Sequence, residues 1–377
     1  MTKIGTLVDG ALATVDASGQ ITSENFGALR WWVAADDRWH TPPEEPTCRQ
    51  TRLEGTPVVE TAIRVPSGDV VHRAYAVVDL GGMVVVEVEN RSTLPVAVAF
   101  DRADVLTSRP PTAVPIEGIT LPEGSIVVPV GKTSIVRVAL GRGAGLLPPL
   151  LASADEVMRG WLGMVDRAPR LVLPDDNVRI TVLRERSDLL VGGLPKVDID
   201  PAGYLLAASE MVRCGQAGDP LVDDVVVAAI AIAKASKSHV TMRAIAALQR
   251  AEEVLYRADQ SRAAADVARM RNKLGTPVSD AAGAPGMALL LDGLACMRNG
   301  ELVLLGDQVP RAWWGQPLEV HDAPVGDGTV SFAVRWHGER PALLWESTHD
   351  GVVRCPGLDP VWRGHGAKGE ALLAQPT

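Results

Sequence analysis

From residue 8 to about 140, apolar and polar positions alternate with a period of two, and the runs are rich in Val, Ile and Thr. Turn residues punctuate them. Ala11–Val15 and Gln20–Thr22 flank the turn 16–19, and Pro57–Val65 and Val70–Val78 flank the turn 66–69; both read as hairpins. Met83–Glu89, Val96–Phe100, Ser125–Val130 and Ser134–Leu140 continue the series. Short strands at this spacing, with no helical pattern between them, predict an antiparallel β-sandwich over residues 1–145.

At 141–149 a run of Gly and Pro breaks the alternation and marks a linker. The period then becomes helical. Ser153 and Glu156 have capping-box spacing, which predicts a helix from Ser153 that ends before Pro169. A second helix is expected from Asp176 to Val191. A third has Asp200 as N-cap, Pro201 in its first turn and Gly215 past its end. Asp219-Pro220 opens a fourth, apolar on nearly all sides from Val225 to Ala233, which predicts a helix enclosed by neighbours. Ser238 is expected to open a fifth, Asp259 or Ser261 a sixth ending at Gly275, and Pro285 a seventh running to Met297. Short loops between helices imply hairpins, so residues 150–299 read as a helical-hairpin block. Alternation resumes at Glu301–Leu305, and Thr329–Trp336 with Ala342–Glu346 forms a hairpin with one buried face. Residues 300–363 therefore read as a small C-terminal β domain and 364–377 as a loosely held tail. The fold class expected is multidomain α+β.

Composition narrows the function classes. At 377 residues the chain has room for two or three cores. A net charge of −9 with unclustered basic residues argues against a nucleic-acid footprint. No basic segment leads into a long apolar stretch at the start, and the longest apolar run, Val225 to Ala233, is too short to span a bilayer. A cytoplasmic protein is expected, with no membrane partner. Cys48, Cys214, Cys296 and Cys355 lie far apart without C-x-x-C spacing, which suits reduced, buried thiols and argues against a metal site. No motif calls for a cofactor: Gly131-Lys132-Thr133 lacks the earlier glycine of a phosphate-binding loop.

Five stretches carry a resemblance. They are Trp31 to His40 (WWVAADDRWH) with Val86 to Ser92 (VEVENRS); Leu302 to Leu305 (LVLL) with Pro310 to Pro317 (PRAWWGQP); and Val330 to Glu346 (VSFAVRWHGERPALLWE). In this order, around a helical middle, the chain resembles bacterial glycoside hydrolases built on an (α/α) toroid of six helical hairpins, with a β-sandwich before the ring and a small β domain after it. The resemblance implies a carbohydrate ligand. Ser153 to Met297 holds only about three and a half hairpins at usual helix and loop lengths, and no stretch matches either catalytic carboxylate motif. The resemblance therefore implies descent from sugar-handling proteins with a shortened ring, and activity is not carried over.

Glycoside hydrolysis needs two carboxyl groups facing each other across the bond. Glu252 is the candidate acid, placed on the stripe of Ile245, Leu248 and Leu255, with Glu253 expected to point elsewhere. The competing reading, which carries more weight, pairs Glu252 with an arginine such as Arg184, Arg213 or Arg269 for packing alone. Asp36 or Asp37 would supply a second carboxylate. Asp36, Asp37, Arg38, Trp39 and His40 have the composition of a sugar-contacting loop. The favoured alternative is an interdomain latch, with Trp39 buried against the helical block and Asp37 satisfying Arg38. Trp313 and Trp314, with His321, Trp336, His337, Trp345 and Trp362, would form a ligand platform or, more in keeping with one-face alternation, a core. Three functional readings follow: a non-catalytic, carbohydrate-associated protein; a glycosidase with Glu252 as acid and Asp37 as base whose ring is completed in a homodimer; or a structural module without sugar binding.

Overall fold

The structure is a computed structural model that describes residues 1–112, 117–140, 145–148, 150–236, 240–274, 286–298, 300–306 and 310–376. The linker glycines at 141–144, the helix start expected at Ser238, the stop at Gly275 and the start at Pro285 lie outside the described residues. The chain is mixed α+β and divides into two compact units, residues 1–163 with 187–193, and residues 164–186 with 194–377. No described helix is long and apolar enough to cross a membrane.

Among the described residues, the first unit holds three sheets. Thr2–Thr6, Gly10–Val15, Ile21–Ser23 and Gly27–Leu29 form a meander. Seven strands, in the order Gly145–Leu146, Leu106–Thr107, Ile135–Leu140, Met83–Asn90, Gly68–Val77, Val59–Val65 and Arg49–Arg52, form the second. It is antiparallel apart from its first short pair. The third runs Ile126–Val130, Val96–Phe100, Trp31–Ala34, Trp39–His40. Inward residues of all three, among them Ile4, Val15, Val33, Ile63, Val86, Val98 and Val128, share one core. The hairpin expected at 66–69 is tighter than the sequence suggests: Val65 pairs directly with Gly68, whose backbone lies so close to Arg91 and Ser92 that a Cβ would collide with them.

The other face of the seven-stranded sheet is divided. Tyr75, Val77, Met83, Val85 and Ala139 pack with Leu151 and with Ala154, Val157 and Met158 of α1 (Ala154–Val165). Farther along, Glu60, Arg73, Glu87 and Arg137 stand opposite one another on four adjacent strands as a row of alternating charge. The acids of Val86 to Ser92 belong to this row and its neighbour: Glu87 binds Arg73 and Arg137, and Glu89 binds Arg73 and Arg91. These carboxylates hold the sheet together.

Side-chain caps open some of the described helices and not others. The capping box at α1 forms, with Ser153 N–H donating to Glu156 at 2.8 Å and Glu156 N–H to Ser153 Oγ at 3.3 Å. After α2 (Asp176–Gly192) comes α3 (Pro201–Arg213), whose N-cap Asp200 accepts from Gly203 N–H at 2.9 Å. Then follow α4 (Val222–Ala235), α5 (Met242–Arg257, capped by Thr241), α6 (Ser261–Asn272) and α7 (Gly286–Leu294). Leu205, Ala208, Ala229, Leu248, Ala251 and Val267 make the core of α3 to α6. Two expectations are corrected here. Val227 and Ile230 of α4 are 55% and 38% exposed, so that helix is not enclosed on all sides. The seventh helix stops at Leu294, because Ala295–Arg298 extends to pair with Glu301–Leu304.

The C-terminal strands form two sheets. One runs Arg170–Val172, Leu318–Val325, Gly328–His337, Arg340–Ser347, Lys368–Leu372, and the other Ala295–Arg298, Glu301–Leu304, Val352–Cys355, Asp359–His365. Residues 364–377 are not a loose tail: Lys368–Leu372 pairs with Ala342–Glu346, and Leu373 is fully buried. These sheets have no core of their own. Val320, Phe332 and Leu343 pack in one cluster with Leu171 and Leu173, Val182 of α2 and Leu291 and Leu294 of α7, which is why helical block and C-terminal strands make one unit.

Candidate functional site

The helix α5 carries adjacent acids with different fates. Glu252 is 12% exposed, and both its oxygens accept from Arg271 of α6, at 2.6 Å from Nε and 3.2 Å from Nη2. Burial pushes its carboxyl above the usual range and the arginine pulls it back only in part. The partner is thus an arginine, as the packing reading holds, but Arg271 instead of the three residues expected. Glu253, expected to point away, is the more deeply buried of the two. It accepts from Arg213 Nε at 2.9 Å and Nη2 at 2.7 Å, from Ser209 Oγ at 3.1 Å and from Arg250 Nη1 at 3.3 Å. Burial alone would raise its carboxyl, yet the arginines bring it down to about 2.

Glu253 is one link of a chain of alternating charge inside the second unit: Arg186, Glu210, Arg213, Glu253, Arg250, Asp292. It ties α2, α3, α5 and α7 together. Glu210 is held below the usual range, the upward push of burial being outweighed by Arg186 and Arg213, whereas burial leaves Asp292 raised despite Arg250. Glu252, Glu253, Arg250, Arg271 and Asp292 line one cavity of about 50 Å³ with Cys296 and Gly326. That volume admits a few waters, far less than the roughly 300 Å³ or more of a small-molecule site.

Asp36 to His40 lie in the first unit. Trp39 and His40 form a short strand paired with Val33–Ala34. His40 is buried, with Nδ1 3.0 Å from Glu45 Oε1 and Nε2 3.0 Å from Asp37 Oδ1. Arg38 clamps Glu45 with Nη1 at 2.7 Å and Nη2 at 3.2 Å, while its nearest approach to Asp37 is 3.9 Å. Asp37 therefore serves His40 more than Arg38. Glu45 and Asp37 both sit below their ordinary range; what burial raises is more than reversed by hydrogen bonding, of Glu45 with Arg38 and His40 and of Asp37 with His40. Trp39 is half-buried and donates its indole N–H to Glu117 O at 2.8 Å, with Gly118 near its ring. Asp36 stays exposed.

Register adds a residue that the motif reading missed. Trp31 points into the core, stacked on His72 at 4.6 Å. Pleat alternation turns Trp32 outward. Ala34 pairs with Trp39, so Trp32 and Trp39 stand on the same face, diagonal to each other, with Arg30 5.9 Å above the Trp32 ring. The doublet Trp31-Trp32 in a strand was itself the signal, since one of two adjacent strand residues must face out. The half-buried indoles, with Asp36 and Asp37 on the same loop, offer ring faces and carboxylate acceptors of the kind a sugar uses.

The C-terminal tryptophans divide between core and surface. Trp313 is in the core. Trp345 and Trp362 meet edge to face at 5.7 Å, and Trp336 donates to Gln316 O at 2.9 Å. Trp314 is half-buried under the Arg311 guanidinium at 5.1 Å, its N–H without a partner among the described residues. Glu252 belongs to the second unit and Asp37 to the first. All four cysteines are free thiols, and no three His, Cys, Asp or Glu side chains among the described residues converge to hold a metal ion.

No family model matches the sequence, and no curated protein matches it. Among the solved structures similar to the chain are the following two. One, named provisionally as a kojibiose phosphorylase from the human microbiome, has a TM-score of 0.40 at 6% identity, covering 94% of this chain and 89% of that one. The other, a bacterial glucoamylase complexed with acarbose, has a TM-score of 0.33 at 9% identity, covering 74% of this chain and 64% of that one. Superpositions this loose transfer neither a site nor a reaction.

Proposed function

We propose that this protein is a non-catalytic, carbohydrate-associated relative of the toroid glycosidases, with its helical block serving as a scaffold. The observation that carries the first half is the state of Glu252. Its two oxygens are taken by Arg271, and the cavity beside it, about 50 Å³, has no room for a pyranose between opposed carboxyl groups. The sequence resemblance at both ends, and the face bearing Trp32 and Trp39, support the second half. The test is thermal unfolding of the full chain against glucose- and mannose-based oligosaccharides, with product analysis on each. A sugar that raises the midpoint without being cleaved is expected. Cleavage abolished by Glu252→Gln would establish the active enzyme instead, and no shift at millimolar sugar would establish a structural module.

A further inference from the structure

His40 is buried, and each of its ring nitrogens faces a carboxylate oxygen at 3.0 Å, Nδ1 that of Glu45 and Nε2 that of Asp37. Both acids sit below their ordinary range, so near neutral pH each is ionised and can only accept. A neutral imidazole has one N–H and one lone pair. It satisfies one of these carboxylates and turns its lone pair on the other. Only the imidazolium, with a proton on each nitrogen, makes both contacts. The other charged and titratable neighbours lie behind the acids. Arg38 holds both oxygens of Glu45, at 2.7 Å and 3.2 Å, and Cys48, near Glu45, is a thiol that burial pushes up. Asp36, beside Asp37, is exposed to solvent.

The two acids are not equally free to move. The Glu45 side chain is 6% exposed and clamped by Arg38, whereas that of Asp37 is 38% exposed and has Arg38 no nearer than 3.9 Å. Asp37 lies in the turn 35–38, closed by Ala35 N–H donating to Arg38 O at 3.0 Å, which joins the strand Trp31–Ala34 to Trp39–His40. We propose that His40 is a proton-operated latch on this turn: the imidazolium holds Asp37 against the ring, and loss of one proton releases it. The remaining Nδ1–H stays on Glu45, the acid with little access to water, and the Asp37 carboxylate turns from the Nε2 lone pair into solvent. The turn brings Trp39 into register with Ala34, so the proton on a buried ring governs how firmly the outward indoles of Trp32 and Trp39 are held. The latch is a property of the turn itself and stands apart from whether those indoles bind sugar.

The test is nitrogen NMR of the full chain labelled at its histidines, run beside amide hydrogen exchange at residues 35–38 corrected for its intrinsic dependence on pH. As pH rises, His40 is expected to pass from two ring protons to one, and over the same range the turn amides should exchange at least about ten-fold faster. Asp37→Asn gives the turn an amide that accepts from the imidazolium through its oxygen and donates to the neutral ring through its nitrogen. In that variant His40 should still lose its proton while the acceleration disappears. A turn that stays closed over a singly protonated His40, exchange that ignores the state of the ring, or the same acceleration in Asp37→Asn would overturn the proposal.

Discussion

Arg271 of α6 holds both carboxylate oxygens of Glu252 of α5, so that one guanidinium joins two neighbouring helices through a two-pronged contact. Removing the arginine strands a mostly buried carboxylate. Arg271→Ala is expected to cost about 2 kcal/mol in urea unfolding, and Glu252→Gln distinctly less, because a neutral amide is easier to leave unpaired. Because burial raises the Glu252 carboxyl in the folded chain, folding takes up protons there. Its contribution falls as pH rises from the unfolded value through the raised folded one. Glu252→Gln should remove that slope, and a slope unchanged in the variant would mean another group is responsible.

Glu253 gives the opposite sign. Its carboxyl is brought to about 2 in the folded protein against 4.5 in the free side chain, a contribution of roughly 3 kcal/mol. The contribution is present above pH 4.5 and is lost as pH falls toward 2. Glu253→Ala, which strips Arg213 and Arg250 of a shared partner, should destabilise the chain by about 3–5 kcal/mol at neutral pH and should flatten its acid unfolding curve. Equilibrium denaturation at pH 7 and at intervals from pH 4.5 down to pH 2 measures both effects.

His72 is a separate acid-sensitive element, in the first unit. It is buried on the Trp31 ring, its Nδ1 has no partner among the described residues, and burial lowers it to about 4 from 6.5. The unfolded chain takes up a proton at this position before the folded one does, so stability is complete above pH 6.5. It falls by about 3 kcal/mol as pH drops to 4. His72→Leu should remove that share of the pH dependence, and the difference between the two proteins' unfolding curves across this window reports it. Equal pH dependence in both would show that the imidazole does not carry the effect.

The proposed sugar face makes a simple demand. Trp32→Ala and Trp39→Ala should each reduce the sugar-induced rise in unfolding midpoint by more than half. Trp314→Ala should leave it intact, because Trp314 lies in the other compact unit beneath Arg311. A loss confined to Trp314→Ala would move the binding face to the C-terminal sheets.

Much of the secondary structure was determined by the sequence alone, because its causes are local. Period-two alternation marks strands such as Met83–Asn90 and Gly328–His337, and the side chains of Ser153, Glu156 and Asp200 satisfy backbone donors a few residues away. The choice between Glu252 and Glu253 was decided by the tertiary structure. Helix α5 is buried on most of its circumference, so a helical period cannot say which of two neighbours one hundred degrees apart goes deeper. The answer depends on Arg213 of α3 and Arg271 of α6, and ion pairing carries no sequence period. The outward face of Trp32 was legible once Trp31 was placed inside, while its company with Trp39 needed the register of two strands. The same distinction explains the C-terminus. Alternation found the strands, but only packing showed that Leu171, Val182, Leu291 and Phe332 share one core and that the last residues add a strand to it, because burial is set by partners distant in the chain.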